Sequence, residues 1–285
     1  MTATALSGKE LATEIRAETA ARAAELTAAG RPPTLAVVVA TADESSAWYV
    51  RSIARAAEKA GVHCDVIDVG PHAAAAGIAG TLVRLNADDA VHGVILQTPL
   101  PEGVNAQEMA LAIDVGKDVD GANPASLGRL AAGLPAFAPA TAQAVVAILD
   151  HHGIELSGRP VAMVGRSTVV GKPAAHLLLD RNATVTICHS RTRDLAAVTR
   201  AAEVVVAAVG RAGLITAEYV SPGAVVVDVG TNPTGDGGLA GDVDAASVGA
   251  VAAALTPVPG GVGPVTTALL LSHTVQAAAR VRAGG

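Results

Sequence analysis

An α/β fold in two domains is what the sequence predicts, on three observations. A chain of 285 residues is long enough for about two domains. Short apolar runs alternate with helix-like stretches, first between Thr34 and Gln97 and again from Val161 onward. The segment Val161 to Ser190, VAMVGRSTVVGKPAAHLLLDRNATVTICHS, reads as a buried strand, a glycine-flanked turn, a helix and a second strand. That is one βαβ unit, and parallel sheets are built from such units.

The elements follow in order. Thr34 to Thr41 reads as a strand, Glu44 to Ala60 as a helix stopped by Gly61, and His63 to Val69 as a second strand. Ala74 to Leu85 is helical, and His92 to Gln97 is a third strand, broken by Thr98-Pro-Leu-Pro101. Helical patterns recur near Ala106 to Ile113, Ala125 to Leu130 and Ala142 to His151. After Gly158-Arg159-Pro160 come the βαβ unit and strands at Val204 to Val209 and Val225 to Val229. Asp236-Gly237-Gly238 has the chemistry of a hairpin turn. A final helix runs from about Pro264 to Arg282, with proline placed to suit the first helical position. The predicted domains are residues 1–140, completed by a C-terminal helix over 264–285, and residues 141–263. The last helix is expected to return to the first domain.

The turn of the βαβ unit is suited to a phosphate. Gly165 ends the strand, and Gly171 opens the helix. Glycines there permit a tight turn and close backbone approach to a pyrophosphate, whose charge a helix N-terminus stabilises. The second strand ends in His189-Ser190-Arg191, with no acid before Asp194. Folds that prefer NAD place a carboxylate near this point for the ribose hydroxyls. Arg191, Arg193 and Ser190, with Arg166 in the turn, instead suit a 2′-phosphate. A Rossmann-type domain binding NADP is the expectation, although the glycine spacing is not the common dinucleotide fingerprint.

Composition narrows the classes. The chain is 51% hydrophobic but 1% aromatic, so Val, Leu, Ile and Ala must form the core. A net charge of −6 without a dense Lys/Arg run argues against a nucleic-acid surface. Gly, Pro or charge interrupts every apolar run before the ~20 residues a membrane span needs. The N-terminus shows no signal-peptide pattern, and a soluble cytoplasmic protein is expected. Cys64 and Cys188 lack metal-ligand spacing and lie in apolar strands, so both are expected to be buried free thiols. No metal site is expected.

Further segments are too particular for packing alone. They are Ser46-Ala-Trp-Tyr49-Val50, Gln97-Thr-Pro-Leu-Pro101, Lys117-Asp-Val-Asp120-Gly121, Val227-Asp-Val-Gly-Thr-Asn232 and Thr256-Pro-Val-Pro-Gly-Gly-Val-Gly-Pro264. Residue types alone leave other readings open. Tyr49 also fits a half-buried tyrosine with a satisfied hydroxyl, Gln97 a loop cap and His189 a structural histidine. Asp118 and Asp120 fit turn carboxylates that accept backbone N–H groups, and the proline-glycine run fits a helix-entry loop.

In order and spacing from about Gly8 to Ala278, these segments resemble the methylenetetrahydrofolate dehydrogenase/cyclohydrolase family. The resemblance implies that a cleft between two domains binds a folate and NADP. It implies folate contacts from Ser46, Tyr49, Gln97, Pro99, Leu100 and Asp120, with Tyr49, Gln97 and Asp120 nearest the reacting region. Pro259, Gly260 and Gly261 would line the wall where pterin and nicotinamide meet. Gly165, Arg166, Ser167, Gly171, His189, Ser190, Arg191 and Thr231 would hold or abut the cofactor. A homodimer is implied as well.

One departure bears on the chemistry. Bifunctional members carry a lysine four residues after the tyrosine, one helical turn along, and here that position is Ile53. Arg55 projects about 200° around the helix from it, and Lys59 lies further down the helix. Hydride transfer needs positioning rather than a general base, and isoleucine tolerates that. Hydrolysis of the methenyl cation gains ~10²–10⁴-fold from a placed acid or base, and isoleucine supplies neither. The expectation is therefore an NADP-dependent 5,10-methylenetetrahydrofolate dehydrogenase with hydrolysis lost or very weak. The alternatives are a bifunctional enzyme or a repurposed or non-catalytic NADP/folate-binding paralogue. Thr98, Ala140, Ala142 and Thr231 also depart from the family's usual residues at those places.

Overall fold

A computed structural model describes residues 2–280 except residue 236. Of the expected features, Asp236 of the hairpin turn and positions 281–285 of the last helix lie outside the described residues. In chain order the first elements are β1 (Thr4–Ala5), α1 (Lys9–Ala28), β2 (Thr34–Val39), α2 (Glu44–Lys59) and β3 (His63–Asp68). Next come α3 (Ala75–Ala87), β4 (Gly93–Leu96), α4 (Ala106–Ala110), α5 (Pro124–Ala131) and α6 (Ala140–His151). The second half holds β5 (Pro160–Val164), α7 (Gly171–Leu179), β6 (Thr184–Cys188), α8 (Leu195–Arg200) and β7 (Val204–Ala207). It continues with β8 (Val225–Asp228), β9 (Asn232–Pro233), β10 (Leu239–Ala240), α9 (Ala245–Val248), β11 (Ala254–Leu255) and α10 (Val262–Arg280).

Two compact units divide the chain. One joins Thr13–Ala140 to the chain from Thr267 onward. Its sheet has the order β3-β2-β4, all parallel. Every residue of the central strand β2 is buried, as expected of a parallel strand covered on both faces. α3 lays Ile78, Leu82 and Leu85 on one face, against Ala36, Val38, Val94 and Ile113. Spacing of four and three residues puts them on a single helical stripe, and each buried side chain contributes roughly 1.5–3 kcal/mol.

The other unit joins the N-terminal segment to Ala12 with Thr141–Thr266. It holds a six-stranded sheet of order β1-β11-β8-β7-β5-β6, parallel throughout. β7 and β8 are fully buried Val-rich strands, and the crossover β5-α7-β6 is the βαβ unit read from the sequence. The first residues depart from the predicted division. Thr4–Ala5 pair in parallel with Ala254–Leu255, so the N-terminus completes the nucleotide-type sheet rather than the first domain.

Three further corrections have simple causes. α1 has no counterpart among the expected elements. Its buried stripe is Ala12, Thr19, Ala23 and Leu26, so the hydropathy contrast that reveals a helical period is nearly absent. α10 begins at Val262, which makes Pro264 its third residue rather than its first. The missing N–H costs nothing there, because the first four helical N–H groups lack intrahelical partners. Cys188 is buried, but Cys64 is only partly so, because β3 is an edge strand with no fully buried residue. Among the described residues no helix is long and apolar enough to cross a membrane.

Candidate active site

Helix α2 and the end of β4 are tied at one carbonyl. Asp43 caps α2, its Oδ2 accepting the Ser46 N–H at 2.7 Å. The Ser46 hydroxyl donates to the Thr98 carbonyl oxygen at 3.2 Å, and Gln97 Nε2 donates to the same oxygen at 2.7 Å. Thr98 precedes a cis peptide bond to Pro99. Ser46 is thus a buried strut, while Pro99 is exposed and Leu100 is half-buried. The Gln97 amide also carries an Oε1 acceptor, which suits a ligand N–H.

Tyr49 and Ile53 follow Ser46 along α2 at helical spacing. Tyr49 is half-buried. Ile53 is 0% exposed, among the largest fully buried side chains, so a lysine at this place would carry its stem through packed surroundings. Arg55 and Lys59 are exposed, on the face turned to solvent.

The Lys117–Gly121 segment uses each residue differently. Lys117 Nζ donates to three carbonyls at the C-terminal end of α3, Leu85 (3.1 Å), Asn86 (2.8 Å) and Asp88 (2.7 Å), where a cation complements the helix dipole. Asp118 is 0% exposed. It accepts the N–H groups of Ala122 and Asn123 at 2.9 Å and the Ser126 hydroxyl at 2.5 Å. It is the turn carboxylate that residue types alone left open. The Val119 carbonyl lies 2.8 Å from His273 Nδ1 of α10. A Cβ at Gly121 would stand 2.5 Å from Pro139 N and 2.7 Å from the Phe137 carbonyl, and its φ of +61° is the left-handed region glycine favours.

Asp120 is the remaining carboxyl of the segment, and it accepts the backbone N–H of Ala140. Burial first, and then the Asp118 charge, push its carboxyl up to about 7, against the backbone N–H of Ala140 that favours the charged form. Burial and then the Asp120 charge raise the Tyr49 phenol above its ordinary range. At neutral pH the phenol therefore keeps its proton, whereas Asp120 is poised to gain or lose one.

On the other unit, the turn after β5 is closed by its own backbone. Gly165 has φ +137°, and a Cβ there would collide with the Ala208 carbonyl oxygen. A Cβ at Gly171 would meet the Gly165 carbonyl and lie 2.7 Å from Arg166 Cα. Both glycines build the turn, Gly171 packing directly beneath it. The Ser167 hydroxyl accepts from the N–H groups of Val170 (3.1 Å) and Gly171 (3.3 Å), which leaves its own O–H to donate outward. Arg166 and Ser167 are exposed beside it.

After β6, the His189 N–H donates to Thr192 Oγ1 (2.9 Å), and the Arg191 N–H donates to His189 Nδ1 (3.1 Å). His189 is therefore an organiser of the turn. Ser190 and Arg191 are exposed at its tip, and Thr231 is exposed after β8. A glycine-closed turn, exposed hydroxyls and guanidinium groups at strand C-termini fit a dinucleotide with a phosphorylated ribose.

The proline-glycine loop is packed mostly on itself. The Gly8 N–H donates to the Gly260 carbonyl at 3.0 Å, and a Cβ at Gly8 would collide with the Gly261 carbonyl. A Cβ at Gly261 would lie 2.7 Å from the Pro257 carbonyl. Gly260 has φ +110°. Pro259, preceded by a cis bond, is exposed, while Gly260 and Gly261 are buried. At Gly260 and Gly261 the backbone is thus closely approached by the chain itself. Sequence reasoning missed the roles of Asp228 and Asp242, both buried, because the groups they bind come mostly from loops distant in sequence.

Comparisons with known proteins agree over nearly the whole chain. Residues 6–120 match the family model described as tetrahydrofolate dehydrogenase/cyclohydrolase, catalytic domain. Residues 139–282 match the NAD(P)-binding domain of the same family. "Bifunctional protein FolD 1" of Saccharopolyspora erythraea is 66% identical over 275 residues, covering 96% of this chain and 94% of that protein. "Bifunctional protein FolD" of Nocardia farcinica is 60% identical over 282 residues, 99% and 100% of the two chains. Among solved structures, the bifunctional FolD enzyme of Campylobacter jejuni superposes with TM-score 0.94 at 37% identity, covering 97% of this chain and 98% of that one. The Trypanosoma brucei methylenetetrahydrofolate dehydrogenase-cyclohydrolase, complexed with NADP cofactor and inhibitor, gives 0.94 at 34% identity, covering 99% and 100%.

Proposed function

Because the chain belongs to the tetrahydrofolate dehydrogenase/cyclohydrolase family, we propose that it oxidises 5,10-methylenetetrahydrofolate with NADP and also hydrolyses the methenyl product without a lysine at position 53. The observation that carries this reading is the half-buried Tyr49 beside a carboxyl at Asp120 poised near neutrality, with buried Ile53 one turn further along α2.

Bound NADP supplies the hydride acceptor. The folate nitrogens stabilise the positive charge left at the one-carbon unit, so the protein's task in oxidation is to hold and orient the substrate. Tyr49 offers a protonated phenol and a ring face, Gln97 an amide, and Asp120 a carboxyl for the pterin. Arg166, Ser167, Ser190 and Arg191 would hold the phosphates, with Arg191 on the 2′-phosphate, and Pro259 and Thr231 would border the nicotinamide. The same reading includes assembly as a homodimer, which light scattering tests.

Hydrolysis needs water to attack the methenyl carbon and a proton to reach the departing nitrogen. Ile53 contributes to neither. Asp120 is the group at hand that exchanges a proton near pH 7. Ile53 alone argues for hydrolysis that is weak or lost, but relatives named bifunctional at 60% and 66% identity favour a chain that performs both steps. The test is loss of methenyl absorbance, above the buffer rate, with wild type and with Ile53→Lys. We expect slow hydrolysis by wild type and a gain of at least about tenfold in the variant, within the ~10²–10⁴-fold a placed acid or base supplies. Wild type indistinguishable from buffer would overturn the bifunctional reading and leave a monofunctional dehydrogenase. A folded variant with no gain would mean that Asp120 already meets the need.

A further inference from the structure

Beyond the residues that face a ligand, two buried carboxylates tie together the loops that follow β7 and β8. Asp242 is 0% exposed and Asp228 3%. Asp242 Oδ2 accepts the backbone N–H groups of Val209 (2.6 Å) and Gly210 (3.0 Å). Its Oδ1 accepts the Arg211 N–H and the Asn232 side-chain amide, each at 2.9 Å. Asp228 in turn fixes Asp242: its Oδ1 accepts the N–H groups of Gly230 (2.8 Å) and Asp242 (2.9 Å), and its Oδ2 that of Val243 (3.0 Å). The packing leaves no slack. A Cβ at Gly230 would collide with the Asp242 backbone nitrogen, and one at Gly241 with the Asp228 carboxylate.

The consequence runs to the phosphate turn. Val209–Arg211 directly follow Ala208, whose N–H donates to the Val164 carbonyl at 2.8 Å. The Ala208 carbonyl oxygen sits so close to Gly165 that no side chain fits there. Three successive backbone N–H groups converging on one residue need two acceptor oxygens and no donor, and a carboxylate meets that demand where an amide does not. Charge-assisted bonds of this kind are among the stronger ones. The geometry points to Asp242 as a positioning residue for NADP: it holds the loop after β7 so that Ala208 stays packed against the Gly165 turn, without touching the cofactor.

The test is Asp242→Asn, which preserves size but turns an N–H₂ group toward the converging donors. NADP affinity is read by titration of the purified full chain, alongside KM for NADP, KM for 5,10-methylenetetrahydrofolate and kcat. We expect KM and Kd for NADP to rise tenfold or more, with the folate KM within about twofold and kcat at saturating NADP within about threefold of wild type. Unchanged NADP affinity in the folded variant, or equal losses for both substrates, would overturn the inference. NADP binding by wild type is the control: its absence would remove the cofactor itself, a separate failure. If the variant does not fold, hydrogen exchange on wild type decides. Slow exchange at Val209–Arg211 without NADP supports a loop already held by Asp242, and exchange at free-loop rates contradicts it.

Discussion

Asp120 owes its reactivity to a contest among its neighbours. Burial and the Asp118 charge disfavour its ionised form more than the Ala140 N–H favours it, and the carboxyl reaches about 7. A folded-state value raised above the ordinary carboxylate range means that this group's contribution to stability is fully present at about pH 4 and is lost as pH rises through 7. Asp120→Asn should therefore unfold like wild type near pH 4, and be more stable above pH 7 by up to about 4 kcal/mol. Urea unfolding at the two pH values measures the difference, and an offset independent of pH would contradict the assignment. At this scale the sequence was only partly legible. Residue type allowed either a turn acceptor or a ligand contact at Asp118 and Asp120. The choice depends on Ala122, Asn123 and Ser126 turning back onto Asp118, which spacing alone does not encode. The Asp228 and Asp242 lock was invisible for the same reason, since its donors come from loops that are distant in sequence.

Elements were legible where hydropathy contrast was high. The βαβ unit around α7 was readable because Val-rich buried strands flank a glycine-marked turn, and the β2, β3 and β4 strands were readable from their apolar runs. α1 escaped because alanines line its buried stripe, and β1 and β11 because two-residue strands carry no period. The loop after β6 shows what an element end can specify. His189 organises the turn through its ring nitrogen and leaves Ser190 and Arg191 exposed. Arg191→Ala should raise the KM for NADP about tenfold, the 1.4 kcal/mol scale of one charged contact, and change the KM for NAD by less than twofold. Equal effects on both cofactors would remove Arg191 from the 2′-phosphate.

The whole molecule distributes its chemistry over two compact units, each assembled from separate stretches of chain. The unit containing α2, β4 and the Lys117–Gly121 segment supplies Tyr49, Gln97 and Asp120, and the unit built on the six-stranded sheet supplies the phosphate turn. α10 belongs to both in sequence: it starts from the proline-glycine loop and, from Thr267 onward, joins the first of these units, where His273 holds the Val119 carbonyl beside Asp120. Family membership extends over residues 6–120 and 139–282, so both halves of the machinery are present in one chain. On the proposed reading, Ile53 leaves oxidation intact and slows hydrolysis. The most direct test of the account is the steady-state formation of NADPH by the purified chain supplied with NADP and 5,10-methylenetetrahydrofolate. The account predicts saturable turnover in both substrates, lost when either is omitted. Binding of both ligands with no NADPH formed would contradict it.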